Sequence, residues 1–366
     1  MKRKYTMSVL LGLAILFLTV ACKSAPPQPE APVVPPTGIA EPNNAPPDQA
    51  LLRALDEAIT KAGNARKLVM DFNGPDYFPS DWQSAEALYK QAEQQKNTQT
   101  VLTTRESIAL YNKAAEAFDP LAVKTVAKYR EDKERELLNA RYAVTRVEEL
   151  VPEYLEDADK TALAAEAKYQ AKDYYGARDE AGNALTMYGL LKAALDAYEV
   201  RDEIAYNDFE VYDPVNIELA DNLGISVADD YTNRNFSVAA DKIDEVTLRY
   251  NLALKTAWES FAADKGADAF NARQEALDLK ANVAVRQEFN SAQTVFTNAN
   301  AAFSAQKHSE SAKLFTESTA MFDAVIRVAR QKRIAAEEAL ARANQRMTES
   351  DETAREAERI LEGGTQ

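Results

Sequence analysis

Cysteine and histidine are almost absent from this chain of 366 residues, which has one of each, Cys22 and His308. A lone cysteine excludes a disulfide framework within the chain and any Cys-x-x-Cys pair for zinc or thiol exchange. A lone histidine excludes the His-Glu-x-x-His helix, and leaves nucleophile and base pairings only to carboxylate or lysine chemistry. Glycine is also scarce, eleven residues in all, and none forms a phosphate-cradling loop or flanks a serine in a nucleophile elbow. Basic residues are outnumbered, 43 Lys and Arg against 58 Asp and Glu, giving a formal net charge of −15. That balance disfavours nucleic acid and a flat contact with anionic lipid heads, because phosphate affinity comes from Lys and Arg. The pattern therefore leads us to expect no enzyme, no cofactor and no metal site. With 46% hydrophobic and 28% charged residues, the bulk of the chain has the composition of a folded domain.

Lys2, Arg3 and Lys4 precede an apolar run from Met7 to Val20, which ends at Ala21-Cys22. The run is shorter than the roughly 20 residues a spanning helix needs, and a polar, proline-rich segment follows it, as in a secretory signal. Leu18-Thr19-Val20-Ala21-Cys22 resembles the lipobox of bacterial lipoproteins, with Thr19 where most such boxes carry Leu. That resemblance implies cleavage between Ala21 and Cys22, a diacylglyceryl group on the Cys22 thiol, and often acylation (palmitate) of the new amino terminus. Two or more acyl chains anchor stably without a spanning helix. Loss of the three basic residues would take the formal charge to −18. Residues 22–50 hold nine of the fourteen prolines and read as a disordered tether, able to reach about 80 Å at roughly 3.1 Å per residue.

Residues 51–347 read as an all-α repeat domain, rich in Ala, Glu, Lys, Gln, Arg and Leu with apolar residues three and four apart; residues 348–366 read as a charged helical tail. Breaks are predicted at Gly74-Pro75, Pro79, Pro120, Pro152, Asp213-Pro214, Gly224 and near Gly266, and capping boxes at Ser80 with Gln83 and Thr103 with Glu106. One stripe recurs four times at offsets 0, 3, 7, 10, 11 and 14, from Thr104 to Phe118, Tyr174 to Tyr188, Phe236 to Tyr250 and His308 to Phe322. Matching helices precede the second and fourth copies (Leu155 to Tyr169, Phe289 to Phe303), and a shorter one, Trp82 to Ala92, precedes the first. Small residues within each stripe and aromatics at its ends predict close-packed helical hairpins. Asn-Ala-Arg recurs at residues 64–66, 139–141 and 271–273, with Arg201 in the remaining place. The unit is therefore longer than one hairpin, at roughly 60–75 residues, and contains an additional long helix. A partial fifth unit around Arg342 fades into the tail, as a terminal cap would.

The run from Asp173 to Tyr188, with Ala177, Ala181 and the Ala184-Leu185 pair, resembles the second helix of a tetratricopeptide repeat, and Ala165 stands where that family needs a small residue. The resemblance implies stacked hairpins forming an elongated solenoid or bundle with long connecting helices. The first-helix Trp, Leu and Gly signature is missing, and the period is about twice that family's. Lipobox, tether, acidic helices and degenerate repeats together are similar to treponemal membrane lipoproteins.

His308 fits a packing role at a helix start, and the paired acids at Glu148-Glu149, Glu156-Asp157 with Asp159, and Asp229-Asp230 fit solvated helix faces. Tyr198, Tyr206, Phe209 and Tyr212 are concentrated in one acidic segment; with Trp82 they are candidates for a groove holding a partner or ligand, or else for a buried aromatic face. The stretch 214–235 is expected to be an irregular loop. These features point to an envelope lipoprotein in the cell membrane or outer membrane, its domain in the periplasm or on the cell surface, binding a protein or peptide partner as a scaffold. A ligand-binding lipoprotein serving a transporter, or a spacer between membrane and cell wall, are the other readings.

Overall fold

A computed structural model describes residues 43–363; the expected signal segment 1–21, Cys22 and the stretch expected to be tether up to residue 42 lie outside the described residues. Among the described residues there are twelve α-helices, one 3₁₀ turn and no strand, so the all-α reading holds. They follow one cycle four times: a short corner, a helix of about five turns, then a long helix. After the opening helix α1 (Gln49–Asp71), the first cycle is α2 (Gly74–Tyr77), α3 (Pro79–Lys96) and α4 (Val101–Ala143). The second is α5 (Val147–Leu150), α6 (Pro152–Gln170) and α7 (Tyr174–Tyr206). A 3₁₀ corner (Phe209–Val211), α8 (Pro214–Thr232) and α9 (Phe236–Asp278) form the third, and α10 (Ala281–Ala284), α11 (Arg286–Ser304) and α12 (His308–Gly363) the fourth.

Local chemistry explains the cycle. Pro79, Pro152 and Pro214 open their helices, where a missing N–H costs nothing, and each pushes its predecessor out of the helical region. Those predecessors, Phe78, Val151 and Asp213, share φ near −140°, as does Val285 in the fourth cycle, which has no proline. Three hairpin turns are Schellman motifs with a left-handed non-glycine residue: Lys172 (φ 61°), Arg234 (φ 59°) and Gln306 (φ 59°). In the first of them Asp173 N–H donates to Lys168 O and Lys172 N–H to Tyr169 O, both at 2.9 Å.

Several breaks are corrected. Helix α4 runs through Pro120, whose neighbours Phe118, Leu121 and Ala122 are buried and hold the chain helical despite the lost donor. Gly224 and Gly266 lie inside α8 and α9; a Cβ on Gly266 would come within 3.1 Å of the Phe315 ring, so close packing rather than a break explains that glycine. The stretch 214–235 is no loop. It is α8, started by the Asp213 carboxylate accepting Asn216 N–H at 3.2 Å, and it is the missing first helix of the third hairpin. Ile217, Ala220, Gly224, Val227 and Tyr231 repeat the spacing of Leu155 through Tyr169; Gly224 obscured the pattern. The predicted box at Thr103 belongs to Thr100: each hydroxyl accepts the other's backbone N–H, at 3.0 and 3.3 Å. Ser80 sits inside α3 rather than before it.

The described chain forms two compact units. In the first, residues 43–64 and 84–117, Leu55, Ala62, Ala85, Ala92, Tyr111 and Ala114 are buried, and Ser107 Oγ donates to Ala92 O at 2.8 Å. Of the stretch 22–50 expected to be tether, only residues 43–50 are described, and Gln49 and Ala50 already belong to α1. Asn43 O and Ala45 O accept the N–H groups of Leu102 and Val101, satisfying donors that a helix start leaves unpaired. In the second unit, residues 65–83 and 118–363, the hairpins α6/α7, α8/α9 and α11/α12 follow in sequence, with α7 against α9 and α9 against α12. The last two stripe aromatics of this unit, Tyr250 and Phe322, close separate clusters with Phe209 and Phe289. The expected tail from residue 348 is continuous with α12.

Candidate functional site

Where α6 and α7 meet the second half of α4 in the second unit, the hairpin leaves a crevice of about 110 Å³. Its floor is small, Ala162, Ala165, Ala177 and Ala181, because close helix approach requires small residues there. Its walls are aromatic: Phe72 meets Tyr129 edge-on at 5.0 Å, and Tyr169 meets Tyr174 at 5.6 Å. Arg130 closes one side, its guanidinium 4.6 Å from the Tyr169 ring centre and paired with both oxygens of Glu166 at 2.9 and 3.0 Å. At the rim Arg178 lies over Phe72 at 5.8 Å. Burial raises the Tyr129 phenol above its ordinary range. Next to it Tyr175 donates to Asp71 at 2.7 Å; the Lys67 bond, then the Tyr175 bond, hold Asp71 below the usual carboxylate range.

Such a space accepts one apolar or aromatic side chain. Small-molecule pockets run to about 300–1,000 Å³, so it is too small for most metabolites. Hollows of about 550 and 480 Å³ exist elsewhere, around Lys255 and His308 and along Arg286 to Thr294, but they are wide open to solvent and enclose nothing.

The residues singled out from the sequence are dispersed. Trp82 packs on Phe118 at 5.5 Å, under Arg66 at 5.6 Å. Tyr198 lines another junction hollow with Arg201 and Tyr250, and Tyr206 is 86% exposed. Phe209 is fully buried against Trp258 at 4.8 Å, Phe261 and Tyr212, and Tyr212 donates to Asp264 at 3.3 Å. Phe209 and Tyr212 thus belong to a packed aromatic corner, and the five residues line no common groove. His308 packs edge-on against Phe303 at 5.0 Å. Ala21 and Cys22 lie outside the described residues.

No family model, curated protein or solved structure matches this chain. No described helix is long and apolar enough to cross a membrane.

The crevice escaped the sequence reading, which took its alanines, Tyr169 and Tyr174 only as packing stripes, because its residues come from α4, α6 and α7 and the position after α1, and no one stretch contains them. Aromatics at 169 and 174, either side of the hairpin turn, were the available signal.

Proposed function

We propose that this protein is a lipid-anchored scaffold of the bacterial envelope, held by acyl chains on Cys22, whose helical repeats bind a protein or peptide partner by taking one of its apolar side chains into the α4/α6/α7 crevice. The carrying observation is the size and lining of that crevice, one side chain in volume with aromatic walls and a charged rim. Interface anchors have that form, a large apolar side chain in a desolvated pocket ringed by polar contacts. The cysteine at the end of the apolar run and the proline-rich stretch after it support the anchored arrangement.

The test uses the purified chain as bait in envelope extracts, beside Ala162→Phe, which fills the crevice from its half-buried floor. Specific recovery of one envelope protein by the wild type, lost with Ala162→Phe and little changed by added salt, is the expected result, because apolar anchoring is insensitive to screening. Equal recovery by both chains sinks the crevice as the site. A co-purifying small molecule with no protein partner would favour the transporter-linked reading.

A further inference from the structure

Helix α12 continues long after its packing ends. Ala329 is its last buried residue, and every residue from 330 to 362 is exposed, a helical overhang of roughly 50 Å at 1.5 Å per residue. Its base is fastened: Arg330 pairs with Glu275 of α9, and Lys332 donates to Ala284 O of α10 at 2.8 Å. Beyond that base the exposed side carries Leu340 (63% exposed), Met347 (66%) and Leu361 (74%), each seven residues or a multiple of seven from the next.

Those residues belong to a heptad pattern. With Leu340, Met347, Ala354 and Leu361 at the a positions, Ala336, Ala343, Ser350 and Ala357 fall at d, giving four successive heptads. The d row continues an interface already formed lower on the same helix, and the a row does so after one interruption at Arg333, which pairs with Glu337. Seven and fourteen residues before Ala336 stand Ala329 and Phe322, and fourteen before Leu340 stands Ile326, all three buried in the last hairpin's core. The face that packs the fourth repeat therefore runs on along the overhang, without a partner among the described residues.

We infer that this face is the seam of a parallel, in-register two-stranded coiled coil with a second copy of the chain. The flanking charges select that occupant and that direction. The e positions are Glu337, Asn344, Asp351 and Glu358, and the g positions are Ala339, Arg346, Thr353 and Ile360. In a parallel pair each g residue meets the e residue five positions on in its partner. Arg346 then meets Asp351, and no like charges face each other. In a fully overlapped antiparallel pair e faces e, which sets Glu337 of each helix against Glu358 of the other and leaves Arg346 without an acidic partner across the seam. Alanine and serine at d let the helices approach closely, and the single a-position methionine fills space without fixing shape. In this arrangement the overhangs of two copies leave their repeat domains on the same end of the coil, so both copies can reach one membrane surface.

The inference is tested on the full chain carrying Cys22→Ala, so that one engineered thiol is present at a time. Leu340→Cys and Leu361→Cys, made separately at the two ends of the seam, should each give a disulfide-linked dimer on mild oxidation, since a disulfide needs Cα atoms within about 7 Å. Glu352→Cys, on the outer face, should remain monomeric. Crosslinking at only one seam position indicates an antiparallel or slipped pair and overturns the proposal, as does crosslinking at neither, or equal crosslinking at residue 352. Sedimentation equilibrium gives a second readout: the unlabelled chain should show twice the monomer mass, and Met347→Asp, at an exposed site, should show the monomer mass with an unchanged helical spectrum. Arg346→Glu should weaken association and Arg346→Glu with Asp351→Lys should restore it. A wild-type chain that remains monomeric at every concentration overturns the coiled coil.

Discussion

Tyr188 and Tyr250 each donate a hydrogen bond to an aspartate 29 residues earlier, Asp159 at 2.6 Å and Asp221 at 2.5 Å. Each aspartate also accepts from an arginine of the preceding long helix, Arg141 at 2.9 Å and Arg201 at 3.3 Å. Arg141 belongs to the recurring Asn-Ala-Arg marker and Arg201 stands in the place where the marker is missing, so the arginine at this position acts as a clamp from one repeat onto the next hairpin. In the fourth repeat Phe322 replaces the tyrosine and Gln293 the aspartate, and Arg273 donates to Gln293 instead. A phenylalanine has no hydroxyl to donate, and the neutral amide still satisfies the arginine. Burial first, and then the aspartate bond, raise Tyr188 and Tyr250 far above their ordinary value of 10.0; burial also raises Tyr231, and pushes Tyr111 up to about 12. The folded state holds these protons where the unfolded chain releases them, so their contribution to stability is whole below pH 10 and is lost as pH rises through the folded values. In an alkaline titration read by tyrosinate absorbance, these four of the sixteen tyrosines should ionise only as helicity falls. A single step near pH 10 for all sixteen, with helicity intact, would show that the clamps are not formed.

Between the helices, the turns carry a stored cost. Lys172, Arg234 and Gln306 take the left-handed conformation in which a Cβ crowds the following carbonyl, at roughly 1–2 kcal/mol. Glycine is the usual residue at this place in a Schellman motif, so Lys172→Gly should stabilise the protein. The gain should stay at or below about 1 kcal/mol, because glycine loses more chain entropy on folding. Chemical denaturation gives the answer, and a loss of stability would mean that the turn is held by the lysine itself. Glycine at the corner has the opposite logic: a Cβ on Gly74 would lie 2.2 Å from Val69 Cγ1 and 2.7 Å from Val69 O, too close without backbone movement. Helix starts were legible from their prolines, and hairpin stripes from their spacing. Helix ends were not, since no glycine marks the three Schellman turns, and Pro120 lies in a helix that burial keeps intact.

Over the full length of the chain, the segment from Met1 to Cys22 makes a separate prediction: with Cys22→Ala the protein should move from the detergent-rich to the aqueous layer on detergent phase separation. Retention in the detergent layer would disprove lipid anchoring through Cys22. The change removes only a thiol at the end of the apolar run, so the repeats should melt as before.

The helical class, the hairpin stripes and the length of the repeat could all be read from the order of residues, because they depend on short-range spacing along a single helix. Stripe residues from Thr104 to Phe118 and from Ala177 to Tyr188 are buried or half-buried as that spacing requires. Packing of helix against helix determined the rest. It made α8 a helix through Gly224, scattered Trp82, Tyr198, Tyr206, Phe209 and Tyr212 among separate environments, and assembled a crevice from α4, α6 and α7. It also left the heptad face of α12 without a neighbour among the described residues. Such outcomes depend on which helices lie side by side, and the free energy that settles this comes from contacts between residues distant in the chain, such as Arg130 with Glu166 and Phe72 with Tyr129.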